Sequence, residues 1–245
     1  MIFIETCSYT HPGRRGNQED ALHAESDILI VSDGVGGASR GEVASKIVVE
    51  GFRDYYWYQR TEGKSLENLG KEASCYINLC LNNLRNENVL YQGMAATLAA
   101  VYRSQNEVYA VHLGDSRIYL FSVKGMIKWK SKDHSLVQQL VDAQLISEEE
   151  ALFHPQRNVI TRVFQATEEN KAKPEVCLLT SLEAGDRIIL CTDGVLESWK
   201  DDELQTLFQN EPCNERLISA IRQRCEKNSA DNNTAVVTTL KISNS

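Results

Sequence analysis

EVYAVHLGDSRIYLFSVKGMIKWK, residues 107–130, carries three short strand-like runs: Glu107–His112, Arg117–Phe121 and Gly125–Lys130. Each is rich in β-branched, aromatic or aliphatic residues, the kind that fits a pleated, half-buried surface. Only Leu-Gly-Asp-Ser and Ser-Val-Lys separate them. A parallel crossover needs about a dozen residues or more, so these runs must be antiparallel hairpin neighbours. Outward from this stretch the same signal recurs. Ile2–Tyr9, Ile28–Ser32 and Ala96–Tyr102 precede it, and Glu175–Thr180, Arg187–Cys191 and Ala235–Ile242 follow it. Gly, Asp, Asn or Ser bounds each run.

Helical periodicity appears between these runs. From Glu42 to about Tyr56, Val43, Ile47, Val48, Phe52 and Tyr55 fall on one face. From Ser65 to about Asn86, Leu66, Leu69, Ala73, Ile77, Cys80, Leu81 and Leu84 form a stripe. Ser135–Gln144 and Glu148–Phe153 read as short helices, Asp201–Phe208 opens with an acidic first turn, and Asn214–Lys227 spaces Leu217, Ile221 and Cys225 four apart. Strand–helix alternation of the doubly wound kind is absent. The expectation is an α+β fold of antiparallel sheets with helices packed outside. With no repeat, low-complexity tract or linker, residues 1–245 read as a single domain.

Composition narrows the function classes. The chain has 26 Lys+Arg against 34 Asp+Glu, a net charge of −8, with no basic run, which argues against nucleic-acid binding. Seven Cys with no CxxC pair argue against a disulfide framework and a structural zinc site. The opening MIFIETCSYTHPGRRGNQED does not read as a signal peptide, and Val89–Tyr102 is too short to span a bilayer. The reading is a cytoplasmic protein with no membrane or nucleic-acid partner.

Five acidic motifs fall at strand ends: Glu19-Asp20 in RRGNQEDA, Asp33 in ILIVSDGVGG, Asp115 in YAVHLGDSRIYL, Asp193 in RIILCTDGV and Asp231 in SADNNTAVVTTL. Any one alone reads as a turn, because Asp bonds its own backbone and Gly takes positive φ. As a set, they could meet at one rim of a sandwich. Unpaired carboxylates so gathered raise one another's pKa, and a divalent cation reverses this. An all-oxygen donor set suits Mg²⁺ or Mn²⁺ rather than Zn²⁺. A pair of such ions, about 3.5–4 Å apart, can acidify a shared water for attack on phosphorus, and Arg14 or Arg15 could grip phosphate oxygens. DGVGG lacks the GKS/T of a P-loop and the GxGxxG of a dinucleotide site, and no Cys has an Arg six positions on, as a cysteine phosphatase requires.

These residues resemble the metal-dependent serine/threonine protein phosphatase family of type 2C, bacterial branch. RGNQED, DGVGG followed by GEVAS, GMAATLAAV, GDSRIYL, KDHS, NVITRVF, DRIILCTDGV and DNNTAVV stand in the family's motif order across nearly the whole chain. The resemblance implies two packed antiparallel sheets flanked by helix pairs, in αββα layers. It puts Arg15 on the substrate phosphate and makes Asp33 the ligand bridging two cations, with Gly34 lending its carbonyl. Asp193 and Asp231 complete one cation; Glu19 serves the other, with Asp20 supporting a bound water. A third, weaker cation falls to Asp115, sharing Asp193. Asn232 and His134 lie behind these ligands, His134 as a structural hydrogen-bonding residue. Residues 136–158 correspond to a flap beside the site.

The implied chemistry is hydrolysis of phosphoserine and phosphothreonine by a water between the cations, Mn²⁺ or Mg²⁺. The implied partners are phosphoproteins, the targets of a serine/threonine kinase, and the implied state is a monomer. Val35 stands where many relatives carry His, so that position supplies no acid. The alternative is a non-catalytic module that binds phosphoproteins on the same fold; such a module should have lost the carboxylates present here.

Overall fold

A computed structural model of the chain describes residues 1–35, 40–168 and 173–241. Gly36 and Gly37 of the DGVGG motif and Ile242 of the last expected strand lie outside them. The chain runs through β1 (Ile2–His11), β2 (Ala21–Ala24), β3 (Ile28–Ser32) and β4 (Gly34–Val35) into α1 (Gly41–Thr61) and α2 (Leu69–Glu87). Then follow β5 (Ala95–Ala96), β6 (Leu98–Ser104), β7 (Glu107–Leu113), β8 (Arg117–Phe121), β9 (Ile127–Lys130), α3 (Leu136–Asp142) and α4 (Glu148–Phe153). The last part holds β10 (Phe164–Gln165), β11 (Glu175–Leu179), β12 (Arg187–Cys191), α5 (Asp193–Leu196), α6 (Asp201–Asn210), α7 (Asn214–Asn228) and β13 (Asn233–Lys241).

Two five-stranded antiparallel sheets form, in the orders β1-β13-β12-β8-β9 and β11-β7-β6-β3-β2. The alternation read from the sequence assigns their faces. Leu29, Val31, Ala99, Val101, Ile118, Leu120, Ile188, Leu190 and Val236 point inward and meet between the sheets. Their neighbours one residue along point outward, as a period of two requires. Ile28, Ile30, Ala100 and Val111 meet α1 and α2, whereas Tyr119, Ile189, Ala235 and Val237 meet α6 and α7. The four layers are therefore αββα, the expected α+β architecture. Fully burying one such aliphatic side chain contributes about 1.5–3 kcal/mol, so three contiguous clusters hold the strand ends in fixed positions.

Three details depart from the sequence reading. The buried face of α1 centres on Ala44, Val48, Phe52 and Tyr56, and Val43, Ile47 and Tyr55 flank it. Helix α2 starts at Leu69 rather than Ser65, where the Ser65 hydroxyl accepts the Glu67 N–H (3.3 Å) and competes with helical bonding. The run expected over Ala96–Tyr102 is split at Thr97, which leaves β5 free to join β4 and β10 in a three-stranded sheet. All seven cysteines are free. Among the described residues no helix is long and apolar enough to cross a membrane.

Candidate active site

β3 and β7 both pair with β6 in one sheet and β12 lies in the sheet packed against it, and the ends of these three strands bring Asp33, Asp115 and Asp193 together. Asp33 follows β3, Asp115 follows β7 in the turn to β8, and Asp193 follows β12 and begins α5. Asp20 precedes β2 and Asp231 precedes β13. These carboxylates feel one another. Burial raises the Asp33 pKa well above the carboxylate range, and the charges of Asp193, Asp20 and Asp115 add to it. Burial likewise raises Asp193, with Asp115, Asp231 and Asp20 contributing. Burial pushes Asp20 up to about 6, opposed by hydrogen bonds from Thr234, Thr192 and Asp33. Asp115 rises to about 7 through burial and the charge of Asp133.

Two oxygens of this cluster, Asp20 Oδ1 and Asp115 Oδ1, are buried with no hydrogen-bond partner. Such a group costs about 1–3 kcal/mol unless something pairs with it. A divalent cation answers both deficits at once, and oxygen-only donors suit Mg²⁺ or Mn²⁺. The residues present therefore fit such ions.

Glu19 and Gly34 converge beside this cluster. The Gly34 N–H donates to the Glu19 carbonyl at 3.1 Å. Gly41 shows how near the carboxylate is: a Cβ there would meet Glu19 Oε2 at 2.7 Å and the Gly34 carbonyl oxygen at 3.0 Å. Only glycine leaves that space open at the start of α1. Burial raises the Glu19 pKa as well.

Asn232, 4% exposed, ties the loop of Glu19 to the end of β13. Its Oδ1 accepts the Glu19 N–H at 2.8 Å, and its Nδ2 donates to the Pro12 and Asn17 carbonyls, both at 2.9 Å. Arg15 is 62% exposed at its side chain and donates to Asp231 Oδ2 at 2.7 Å. His134 is buried; its ring accepts the Gly114 N–H at 3.1 Å and bonds Glu175 at 3.1 Å. Asp20, Asp33, Asp115, Asp193 and Asp231 thus stand within one another's electrostatic reach, with Arg15 on Asp231, Asn232 on the Glu19 backbone and His134 on the Gly114–Asp115 turn.

The sequence reading passed over several supports. Glu197, one helical turn after Asp193, accepts from the Ser229 hydroxyl and the Ala230 N–H, both at 2.9 Å, and from the Asp231 N–H at 3.3 Å. Its spacing from Asp193 was the available signal. Thr192 donates to Asp20 Oδ2 at 2.9 Å. Thr97 bonds both backbone groups of Asp33: its N–H donates to the Asp33 carbonyl and its hydroxyl accepts the Asp33 N–H, each at 2.9 Å. That hydroxyl also bonds Ser116 at 2.7 Å, beside Asp115. A cavity of about 800 Å³ lies instead at the opposite end of β6 and β7, where Arg60 and Arg103 are both spent on Asp27.

Serine/threonine protein phosphatase PstP of Mycobacterium tuberculosis is 32% identical over 223 residues, 91% of this chain and 42% of that protein. The chain therefore spans about two fifths of that relative's length. The crystal structure of the M. tuberculosis serine/threonine phosphatase PstP/Ppp superposes with a TM-score of 0.81 at 29% identity, covering 99% of this chain and 100% of that one. The catalytic domain of PstP in complex with two manganese ions superposes at 0.80 with 27% identity, over 99% of this chain and 100% of that one. The model of the family described as Protein phosphatase 2C matches residues 9–241, and the chain belongs to that family.

Proposed function

We propose that the protein is a metal-dependent serine/threonine protein phosphatase, with residues 1–245 forming one catalytic domain and 136–158 its flap. The observation that carries this reading is the cluster of Asp20, Asp33, Asp115, Asp193 and Asp231, whose mutual repulsion and two unpartnered oxygens call for cations. Asp33, with the Gly34 carbonyl, would bridge two ions; Asp193 and Asp231 would complete one and Glu19 the other. Asp115 would hold a weaker third with Asp193. Bound cations would supply Lewis acidity, stabilising charge on phosphoryl oxygens and acidifying a water.

The chain's own groups have separate tasks. Arg15 would turn from Asp231 to take two phosphate oxygens, a geometry that guanidinium satisfies and ammonium does not. Asp20 Oδ1 would accept a hydrogen bond from, and so orient, the attacking water, while Thr192 fixes Oδ2. Val35 offers no proton to the leaving serine or threonine oxygen, so solvent must reach it. Leu145, Leu152 and Phe153 stand 70%, 54% and 80% exposed on 136–158, and as part of a flap they would offer apolar contacts to a protein substrate that a small ester would not use. The rest of the reading is a cytoplasmic monomer that reverses a serine/threonine kinase, with Mn²⁺ or Mg²⁺ as the ion.

The test is hydrolysis of p-nitrophenyl phosphate and of phosphoserine and phosphothreonine peptides, with and without Mn²⁺. Activity should require the ion, stop with EDTA, and fall to near background in Asp33→Ala and Asp193→Ala. Hydrolysis persisting in metal-free Asp193→Ala would refute the reading. Phosphopeptide binding without phosphate release would leave a binding module in its place.

A further inference from the structure

His112, His134 and Glu175 lie with one ligand atom each within 4.8 Å, close enough to share a cation. Their protons argue otherwise. The Gly114 N–H donates to His134 Nδ1, so the proton of the neutral ring sits on Nε2 and is donated to Glu175 Oε1 at 3.1 Å. His112 Nε2 lies 3.0 Å from the Lys132 carbonyl, which can only accept, so that nitrogen carries a proton too. A cation there would have to displace the His134 Nε2 proton and set an N–H of His134 against the N–H of Gly114.

The cluster instead joins two regions. His134 clamps the Gly114–Asp115 turn twice: its backbone N–H donates to the Gly114 carbonyl at 2.8 Å, and its ring accepts the Gly114 N–H. Gly114 has φ +105°, a conformation open to glycine and not to other residues, and a Cβ there would meet Thr97 at 2.6 Å. On its other side, the His134 carbonyl accepts from the Thr161 N–H at 2.7 Å and the Thr161 hydroxyl at 3.0 Å. Glu175, directly opposite His112 across the β7–β11 pair, accepts hydrogen bonds from the His134 ring and from the Arg162 guanidinium, the latter at 2.7 Å. His112 stacks on His134, with ring centroids 4.9 Å apart and planes at 19°, and fixes the ring's tilt.

We propose that His134 is a positioning residue that sets where Asp115 sits, by tying the Gly114–Asp115 turn through Glu175 to Thr161 and Arg162 at the exit of 136–158. The inference rests on the cation-binding reading of the carboxylate cluster. Outer-shell partners of this kind are worth about 10–100-fold in metal affinity. Any movement of 136–158 on substrate docking would then be felt at Asp115.

The experiment is a Mn²⁺ binding isotherm on the full chain, with amide exchange at Gly114 and Thr161, for wild type, His134→Ala, His134→Asn and Glu175→Ala. His134→Ala should weaken the weakest Mn²⁺ step about ten-fold, spare the tightest step, and speed Gly114 exchange. His134→Asn, whose Oδ1 replaces Nδ1 as acceptor, should recover Gly114 protection and most of the affinity; a merely structural role would not be rescued. Glu175→Ala, at a half-exposed position, should weaken the same step less and speed Thr161 exchange. A folded His134→Ala with wild-type isotherm and Gly114 exchange overturns the proposal. If His134→Ala does not fold, an unaltered isotherm in Glu175→Ala does so. A wild type that binds no Mn²⁺ defeats the cation reading instead, and Gly114 exchange in His134→Ala then decides the clamp alone.

Discussion

Truncating Asn232 to Ala should both destabilise the fold and weaken cation binding, because one amide satisfies three backbone groups. The Glu19 N–H loses its acceptor, and the Asn17 and Pro12 carbonyls lose a donor. Pro12 keeps the Arg15 N–H at 3.1 Å, so two groups are left unsatisfied. Each costs about 1–3 kcal/mol when buried. The rim is open enough for water to replace part of that, so the lower half applies and the sum is about 2–4 kcal/mol. Losing the Glu19 N–H bond also frees the Glu19 loop, and Mn²⁺ affinity should fall about ten-fold or more. Urea unfolding in EDTA reads the first effect and a binding isotherm the second. Asn232→Asp separates the causes: it keeps an acceptor for Glu19 but turns a carboxylate toward two carbonyls. It should be no better than Ala at pH 8 and recover at pH 4, where the protonated carboxyl donates. A loss below about 0.5 kcal/mol, the level of an ordinary surface change, with unaltered Mn²⁺ affinity would refute the argument that this amide holds the site.

Other outcomes follow from the same geometry. Asp20 at about 6 and Asp115 at about 7 lie above the unfolded carboxylate value near 4. The folded state therefore holds extra protons; their stabilising contribution is complete below about pH 4 and is lost as pH rises through 6–7. In EDTA the melting temperature should fall between pH 5 and 8, and Asp115→Asn should flatten that fall; an unchanged slope in the variant would contradict the assignment. Thr97→Val keeps the shape but orphans the Asp33 N–H and the Ser116 hydroxyl; it should cost about 1–3 kcal/mol in denaturant unfolding. Phe153→Ser, at an 80% exposed position, should change stability by less than about 0.5 kcal/mol and leave p-nitrophenyl phosphate hydrolysis intact. A large loss of melting temperature would mean that Phe153 packs against something.

The strands and helices were legible in the chain because their signal is local. Ile28–Ser32, Arg117–Phe121 and Arg187–Cys191 match the strand-like runs read from the sequence, since every residue of these doubly covered strands is buried except the half-buried Arg117. The five acidic motifs were legible too, as charge placed where a run of buried residues stops. β4, β5 and β10, two residues each, carry no period, and they exist only through pairing with one another, Gly34 and Phe164 each opposite Ala96. Composition made the cluster conceivable, but distance in the chain says nothing of distance in space. Pairing of β3 and β7 with β6, and the packing of that sheet on the one holding β12, brought Asp33, Asp115 and Asp193 together, and Asn232, Glu197 and Thr97 became supports through bonds to residues 213, 34 and 64 positions away. The sequence by itself determined which residues are buried in a sheet and which charges resist burial. The tertiary structure decided which of those charges face one another, because electrostatic repulsion and an unpaired oxygen exist only once the neighbours are in place.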